Sequence, residues 1–166
     1  MKNLVKILFI VVVFIALSFG SAMAKEYNNP DSGISVSIPD AWKVSTEGNV
    51  FTAKTSDEGI SLTFESVKAE DVEKALAEAQ KEIENELGPL TTVSTSEIEL
   101  NGLGAFVEDC TATVKDAKIS VSMMLIMTPD KKVVLMYYFG TDESEKKYEK
   151  ELTGIVESLK PATAKK

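Results

Sequence analysis

The 166-residue chain contains no arginine and no histidine, so lysine supplies all 18 of its basic side chains. Without histidine it lacks the usual general base near neutral pH, which is also the commonest metal ligand in proteins. Without arginine it lacks the planar group that binds carboxylates and phosphates through two parallel hydrogen bonds. Most hydrolase and transferase mechanisms lose a central component, which favours a protein that is not an enzyme.

Cysteine and positive charge are also scarce. Cys110 is the only cysteine, so the chain forms no internal disulfide and its stability has to come from packing. The formal net charge is −8, and it becomes more negative if the two lysines near the N-terminus are removed. A charge of this sign argues against nucleic acid or an anionic membrane surface as a partner.

Long apolar runs are confined to the N-terminus, where residues 1–24 have the layout of a secretory signal peptide. Lys2 and Lys6 precede an apolar run from Ile7 to Leu17, and Ala22-Met23-Ala24 is a typical cleavage site. The run is short for a membrane span, although an uncleaved anchor is the alternative. We therefore expect an exported protein, periplasmic or extracellular, with one domain at 25–160, a frayed polar tail at 161–166 and no membrane insertion after cleavage.

The remaining sequence alternates between two periodicities. Alternation of apolar and polar residues predicts a strand over 34–38 and another over 60–67, and 50–55 is expected to form a short strand between them. Four more strands are expected at 91–100, 103–114, 118–127 and 133–140; Asn101-Gly102 is a strong hairpin signal between the first two. In the last two strands, Met123–Met127 and Val133–Phe139 are apolar at every position, which predicts that both faces are covered.

Two stretches instead carry apolar residues at helical spacing. The first stripe ends before Gly88-Pro89, and the second is expected to begin at Asp142 as the cap and to end before Pro161. The stripes consist of Val72, Leu76, Ala79, Ile83 and Leu87, and of Tyr148, Leu152, Ile155, Val156 and Leu159.

The order of elements is thus β-β-β-α-β-β-β-β-α, with short turns inside each group of strands. Because short turns join antiparallel neighbours, we predict an α+β fold. It has one antiparallel sheet of about six or seven strands packed with two main helices.

The stretch Gly33-Ile34-Ser35-Val36-Ser37-Ile38-Pro39, followed by Trp42, resembles the start of PsbP-like (Mog/PsbP-type) domains. Proline cannot donate a ladder hydrogen bond, so Pro39 has to lie where pairing stops, and Trp42 is expected to pack back on the sheet or seal its edge. The element order and the final Ile155–Leu159 segment fit the same family. The resemblance implies this fold and an accessory or binding role in an exported protein of unknown function.

Several side chains have a chemical and a structural interpretation. Methionines 123, 124, 127 and 136 could bind Cu(I), but core packing is the preferred interpretation. Cys110 is interpreted as buried and inert, because Glu108 and Asp109 would raise its pKa. Glu108 is expected either near a sheet edge or buried with a partner.

Acidic groups at 82–86 and 142–145 could bind Ca²⁺ but lack a calcium-loop pattern. A serine nucleophile would need lysine as its base.

The sequence therefore predicts no catalytic residue, no cofactor and no metal site. The preferred hypothesis is an accessory or protein-interaction domain of the cell envelope, which binds another envelope or secreted protein. The partner is expected to meet a sheet edge, the loops around Trp42, or the Tyr137–Tyr138 end of the last strand, so these three aromatic residues are the candidate interaction residues. The alternative is a domain that binds a small apolar ligand or a metal ion between sheet and helix.

Overall fold

A computed structural model describes residues 24–29, 31–68 and 72–163, and the predicted signal peptide falls almost entirely outside this part. The described residues form twelve elements: β1 Ala24–Asn29, β2 Ile34–Pro39, β3 Lys43–Glu47, β4 Val50–Lys54, β5 Ile60–Val67, α1 Val72–Leu87, β6 Thr91–Leu100, β7 Leu103–Val114, β8 Ala117–Met127, β9 Val133–Thr141, α2 Asp142–Ser158 and β10 Lys160–Pro161. The α+β class and the antiparallel pairing are as predicted.

The strands form two sheets, whereas the sequence predicted one. Seven strands pair in the order β3-β4-β5-β9-β8-β7-β6, and β1-β2-β10 form a separate sheet of three strands. The predicted first strand is β2, and it lies in the small sheet. Strands β1, β3 and β10 were not predicted, because each contains at most two apolar residues and pairs mainly through its backbone.

Side-chain alternation gives the large sheet two buried faces, as the apolar runs in β8 and β9 predicted. One face carries α2 and the small sheet over a core that includes Leu62, Ile126 and Ile155, each at most 1 % exposed. The other face packs under α1, where Ile83 and Cys110 belong to the same buried cluster. The small sheet therefore shares its core with α2 and not with α1.

Both helices begin and end close to the predicted positions. Gly88 has a φ of +86° and donates to the Glu84 carbonyl at 2.8 Å, which ends α1 in the expected left-handed cap. The cap of α2 is Thr141 rather than Asp142: its hydroxyl accepts from the Ser144 amide at 3.1 Å. A threonine preceding an acidic turn is an equally good cap, so the sequence did not separate the two.

The first residues of the polar tail are hydrogen-bonded to the small sheet, although the whole tail was expected to be frayed. Pro161 pairs with Ile34, the Ala162 amide donates to the Gly33 carbonyl at 2.8 Å, and Thr163 exchanges two hydrogen bonds with the Asn28 side chain. The folded part thus extends to Thr163, while 164–166 lie outside the described residues.

Candidate functional site

Trp42, the first of the three predicted interaction residues, is a core side chain. It is 5 % exposed, packs edge-on against Tyr148 with ring centroids 6.1 Å apart, and donates its indole hydrogen to Glu151. Pro39 ends β2 as expected, and the Trp42 amide donates to the Pro39 carbonyl at 2.9 Å, which turns the ring towards α2. This placement contradicts the hypothesis that Trp42 belongs to an exposed surface.

Tyr137 and Tyr138 lie on opposite faces of β9. Tyr138 faces α2, where its hydroxyl donates to Glu145 at 3.1 Å and burial raises its pKa. Tyr137 packs on the α1 side with the cluster around Ile83, where burial again raises its pKa. The structure therefore does not bring the three predicted aromatic residues onto one surface.

A polar cluster surrounds the N-terminus of α2 on the same face as Tyr138. Burial raises the pKa of Glu145, and the nearby carboxylates of Asp142 and Asp109 raise it further. Asp109 accepts hydrogen bonds from the hydroxyls of Ser122 at 2.8 Å and Ser94 at 3.0 Å. Among the described residues, no group of three or more acidic or cysteine side chains is positioned to hold a metal ion.

We expect Glu145→Gln to stabilise the protein near neutral pH. A carboxyl group whose pKa is raised by folding stabilises the fold at low pH, and this contribution is lost as the pH rises through the folded pKa. Glutamine can still accept the Tyr138 hydrogen bond but carries no charge. In urea unfolding, the gain in free energy should therefore be larger at about pH 7 than at about pH 4. Glu143→Gln removes an exposed charge from the same helical turn and is the control; a Glu145→Gln variant less stable than the parent at pH 7 would contradict this view.

The candidate binding site is a cleft of about 400 Å³ between the small sheet and the β4–β5 part of the large sheet. Three aromatic rings lie in a row along it, each tilted by 57–58° to the next, and this row is called the aromatic stack below. Tyr27 of β1 lies 4.9 Å from Phe51 of β4, and Phe51 lies 5.6 Å from Phe64 of β5, measured between ring centroids. Ile34 and Val36 of β2, beside Tyr27 in the small sheet, line its base. The volume and the apolar walls are typical of a small-molecule pocket.

Local hydrogen bonds fix the rim of this cleft. The Asn29 side chain accepts from the backbone amides of Asp31 and Ser32 and so sets the β1–β2 turn. The side-chain amide of Asn49 donates to the Ser66 carbonyl at 2.9 Å, which ties the β3–β4 turn to the end of β5. Both sides of the cleft are thus preformed rather than dependent on a ligand for their shape.

A second cavity of about 360 Å³ meets the first at Ser32 and Ser66. Its lining includes Lys68, Lys131 and Lys132, and Asp31 is the one acidic residue among the described residues that line it. Gly33, which follows Ser32 in the chain, packs closely against the same turn: an added Cβ would lie 3.0 Å from the Lys132 side chain. The described residues that line this second cavity thus include more lysines than acidic residues, in a chain that is acidic as a whole.

Sequence patterns did not indicate this cleft. Phe64 was recognised as part of an apolar strand face, but Tyr27 lies in a strand with no alternation. The two walls come from separate sheets, and their approach depends on how β2 packs with α2. The site between sheet and helix stays a prediction, and the cleft described here lies between two sheets instead.

The methionine and cysteine predictions are largely confirmed. Met123, Met124 and Met136 are at most 4 % exposed, whereas Met127 is 54 % exposed. Cys110 is buried, and burial is the main cause that raises its pKa. Glu108 lies on β7 beside the edge strand β6 and accepts from the Thr92 hydroxyl at 2.8 Å.

Comparison with known proteins was informative only at the level of structure. No family model matches the chain, and no curated protein matches it. A cyanobacterial PsbP from Synechocystis sp. PCC 6803 superposes with a TM-score of 0.57 over 89 % of this chain and 97 % of its own, at 11 % identity. The fold is PsbP-like.

Two further solved structures share the PsbP-like fold. LpqN of Mycobacterium tuberculosis, which is involved in cell envelope biogenesis, gives a TM-score of 0.51 at 16 % identity, over 84 % of this chain and 91 % of its own. A Pseudomonas aeruginosa protein of unknown function gives 0.50 at 16 % identity, over 85 % and 99 % of the two chains. Identities this low establish the fold alone. No helix among the described residues is long and apolar enough to cross a membrane.

Proposed function

We propose that this protein is a non-catalytic binding domain of the cell envelope and that its ligand occupies the cleft between the two sheets. The observation that carries the proposal is the aromatic stack of Tyr27, Phe51 and Phe64, which lines a preformed recess. The signal-peptide pattern of residues 1–24 supports export, and LpqN, which has a similar fold, is involved in cell envelope biogenesis. The absence of histidine and arginine from the sequence favours binding over catalysis.

The physical basis of binding is the removal of apolar surface from water. Tyr27 and Phe51 are half-buried, so their rings still present apolar area to the cleft, while Ile34, Val36 and Phe64 are at most 5 % exposed and form its base. Burial of apolar ligand surface against such walls contributes about 25 cal/mol per Å² before the costs of association.

The test is binding of N-phenyl-1-naphthylamine, an uncharged apolar dye, followed by fluorescence and thermal unfolding. At a free dye concentration of 100 times Kd, binding stabilises the fold by about 2.7 kcal/mol. Thr46→Trp, on the cleft-facing edge strand β3, should fill the recess and abolish binding. Thr95→Trp, equally exposed on the opposite edge strand β6, should leave it unchanged. No binding to the parent, or equal loss in both variants, would contradict the proposal.

A protein partner is the second candidate, favoured by an exposed apolar patch on the α1 side of the large sheet. Met127 is 54 % and Phe106 36 % exposed, and the register places Met127 opposite Gly104, two residues from Phe106 on the same face. Such a patch is typical of interaction surfaces. If this patch is the functional site, Phe106→Ser should abolish crosslinking to an envelope protein and Thr46→Trp should not.

A further inference from the structure

We infer that the ligand of the cleft is a single-chain anionic amphiphile, whose apolar chain lies against the aromatic stack and whose anionic head group lies at the lysine-lined end. This inference rests on the proposed function and specifies the chemical class of its ligand. It follows from two adjoining cavities with opposite linings. One is walled by Phe51, Phe64 and Val36, and the other by three lysines.

The two cavities adjoin at Ser32 and Ser66, which line both of them. Both are small residues, so only two hydroxymethyl side chains stand at the place where the cavities meet. The inferred ligand extends across these two residues, with its chain in the first cavity and its head group in the second.

Charge selects the head group. The whole chain has a net charge of −8, whereas the described residues that line the second cavity include three lysines and one acidic residue. The ammonium group of lysine binds carboxylate or phosphate as a point charge, whereas it would repel a cationic head group. The site thus favours one anionic molecule, although the protein as a whole is repelled by an anionic surface.

The turn that presents two of these lysines is held in place by its backbone. The Thr128 amide donates to the Lys132 carbonyl at 2.9 Å, and the Lys131 amide donates to the Thr128 carbonyl at 3.0 Å. The Lys132 amide donates to the Thr128 hydroxyl, also at 3.0 Å, and Thr128 is itself buried. Lys131 and Lys132 are therefore presented at a defined place beside the junction, which reduces the cost of ordering them around a ligand.

The experiment is calorimetric titration of the parent chain with decanoate, decyl phosphate and decanol, which share one apolar chain. Decanoate or decyl phosphate should bind about tenfold more tightly than decanol, and the advantage should fall as salt is added. Preference between the two anions distinguishes a fatty-acid source from a phospholipid-like one. Equal affinity for decanol and both anions would overturn the inference.

Variants separate the head-group site from the cleft. Lys68→Gln with Lys131→Gln should weaken decanoate binding about tenfold and leave the uncharged dye unaffected. Lys81→Gln with Lys118→Gln removes the same charge from exposed positions elsewhere and should have no effect. If the first pair leaves decanoate affinity unchanged while the dye still binds, the anionic assignment is wrong and the cleft function stands. If the dye also fails to bind the parent, the proposed function itself is wrong.

Discussion

Replacing Trp42 by alanine is expected to lower the free energy of unfolding by about 3–5 kcal/mol, the usual cost of removing a large buried aromatic side chain. The ring is 5 % exposed and joins the segment after β2 to α2 through Tyr148 and Glu151. Its removal leaves a cavity beside the helix and an unpaired carboxylate. Chemical denaturation followed by circular dichroism measures the change.

Trp42→Phe is the matched control, because it keeps an aromatic ring and removes only the indole hydrogen bond. We expect it to cost markedly less than Trp42→Ala, about 1–3 kcal/mol. If Trp42 instead served an exposed interaction surface, both variants would unfold like the parent, and that result would overturn the placement of this ring.

Replacing Gly140 by alanine is the second change with a large expected effect. An added Cβ would overlap Cδ1 of Ile60 and would lie 3.0 Å from the carbonyl oxygen of Gly59. Ile60 is fully buried and pairs directly with Gly140 between β5 and β9, so neither strand can move away freely. We expect a loss of about 1–3 kcal/mol from overpacking, measured by urea unfolding.

Gly154→Ala is the control for Gly140→Ala and is expected to change the free energy of unfolding in the opposite direction. Gly154 lies exposed inside α2, and nothing lies within 4 Å of an added Cβ. Alanine should therefore stabilise the helix by about 0.5–1 kcal/mol, because glycine loses more backbone freedom on folding. A Gly140→Ala variant as stable as Gly154→Ala would mean that β5 and β9 do not approach as closely as described.

The helices and long strands were predictable because their own residues carry the pattern. The stripe from Val72 to Leu87 specifies α1, and the continuous apolar runs in β8 and β9 specify strands covered on both faces. The short strands carry no such pattern. Residues 24–29 pair with β2 over their whole length, yet Tyr27 is their only large apolar side chain.

The binding cleft was not predictable for a related reason. Its aromatic stack consists of Tyr27, Phe51 and Phe64, which come from three strands in two sheets. No residue spacing in the sequence indicates that these strands lie close together. Trp42 carried two predictions, that it packs back on the fold and that the loops around it meet a partner, and its burial fits the first. Its indole N–H donates a hydrogen bond to Glu151, 109 residues away in the chain, and the sequence alone does not reveal this pairing.

The most direct test is a two-dimensional NMR titration of the parent chain with N-phenyl-1-naphthylamine. A ligand in the cleft between the sheets should shift the backbone amides of Tyr27, Phe51 and Ser66, while those near Cys110 under α1 keep their positions. Shifts confined to the α1 side, or no saturable shift at any of the three cleft residues, would contradict the assignment of this cleft as the binding site.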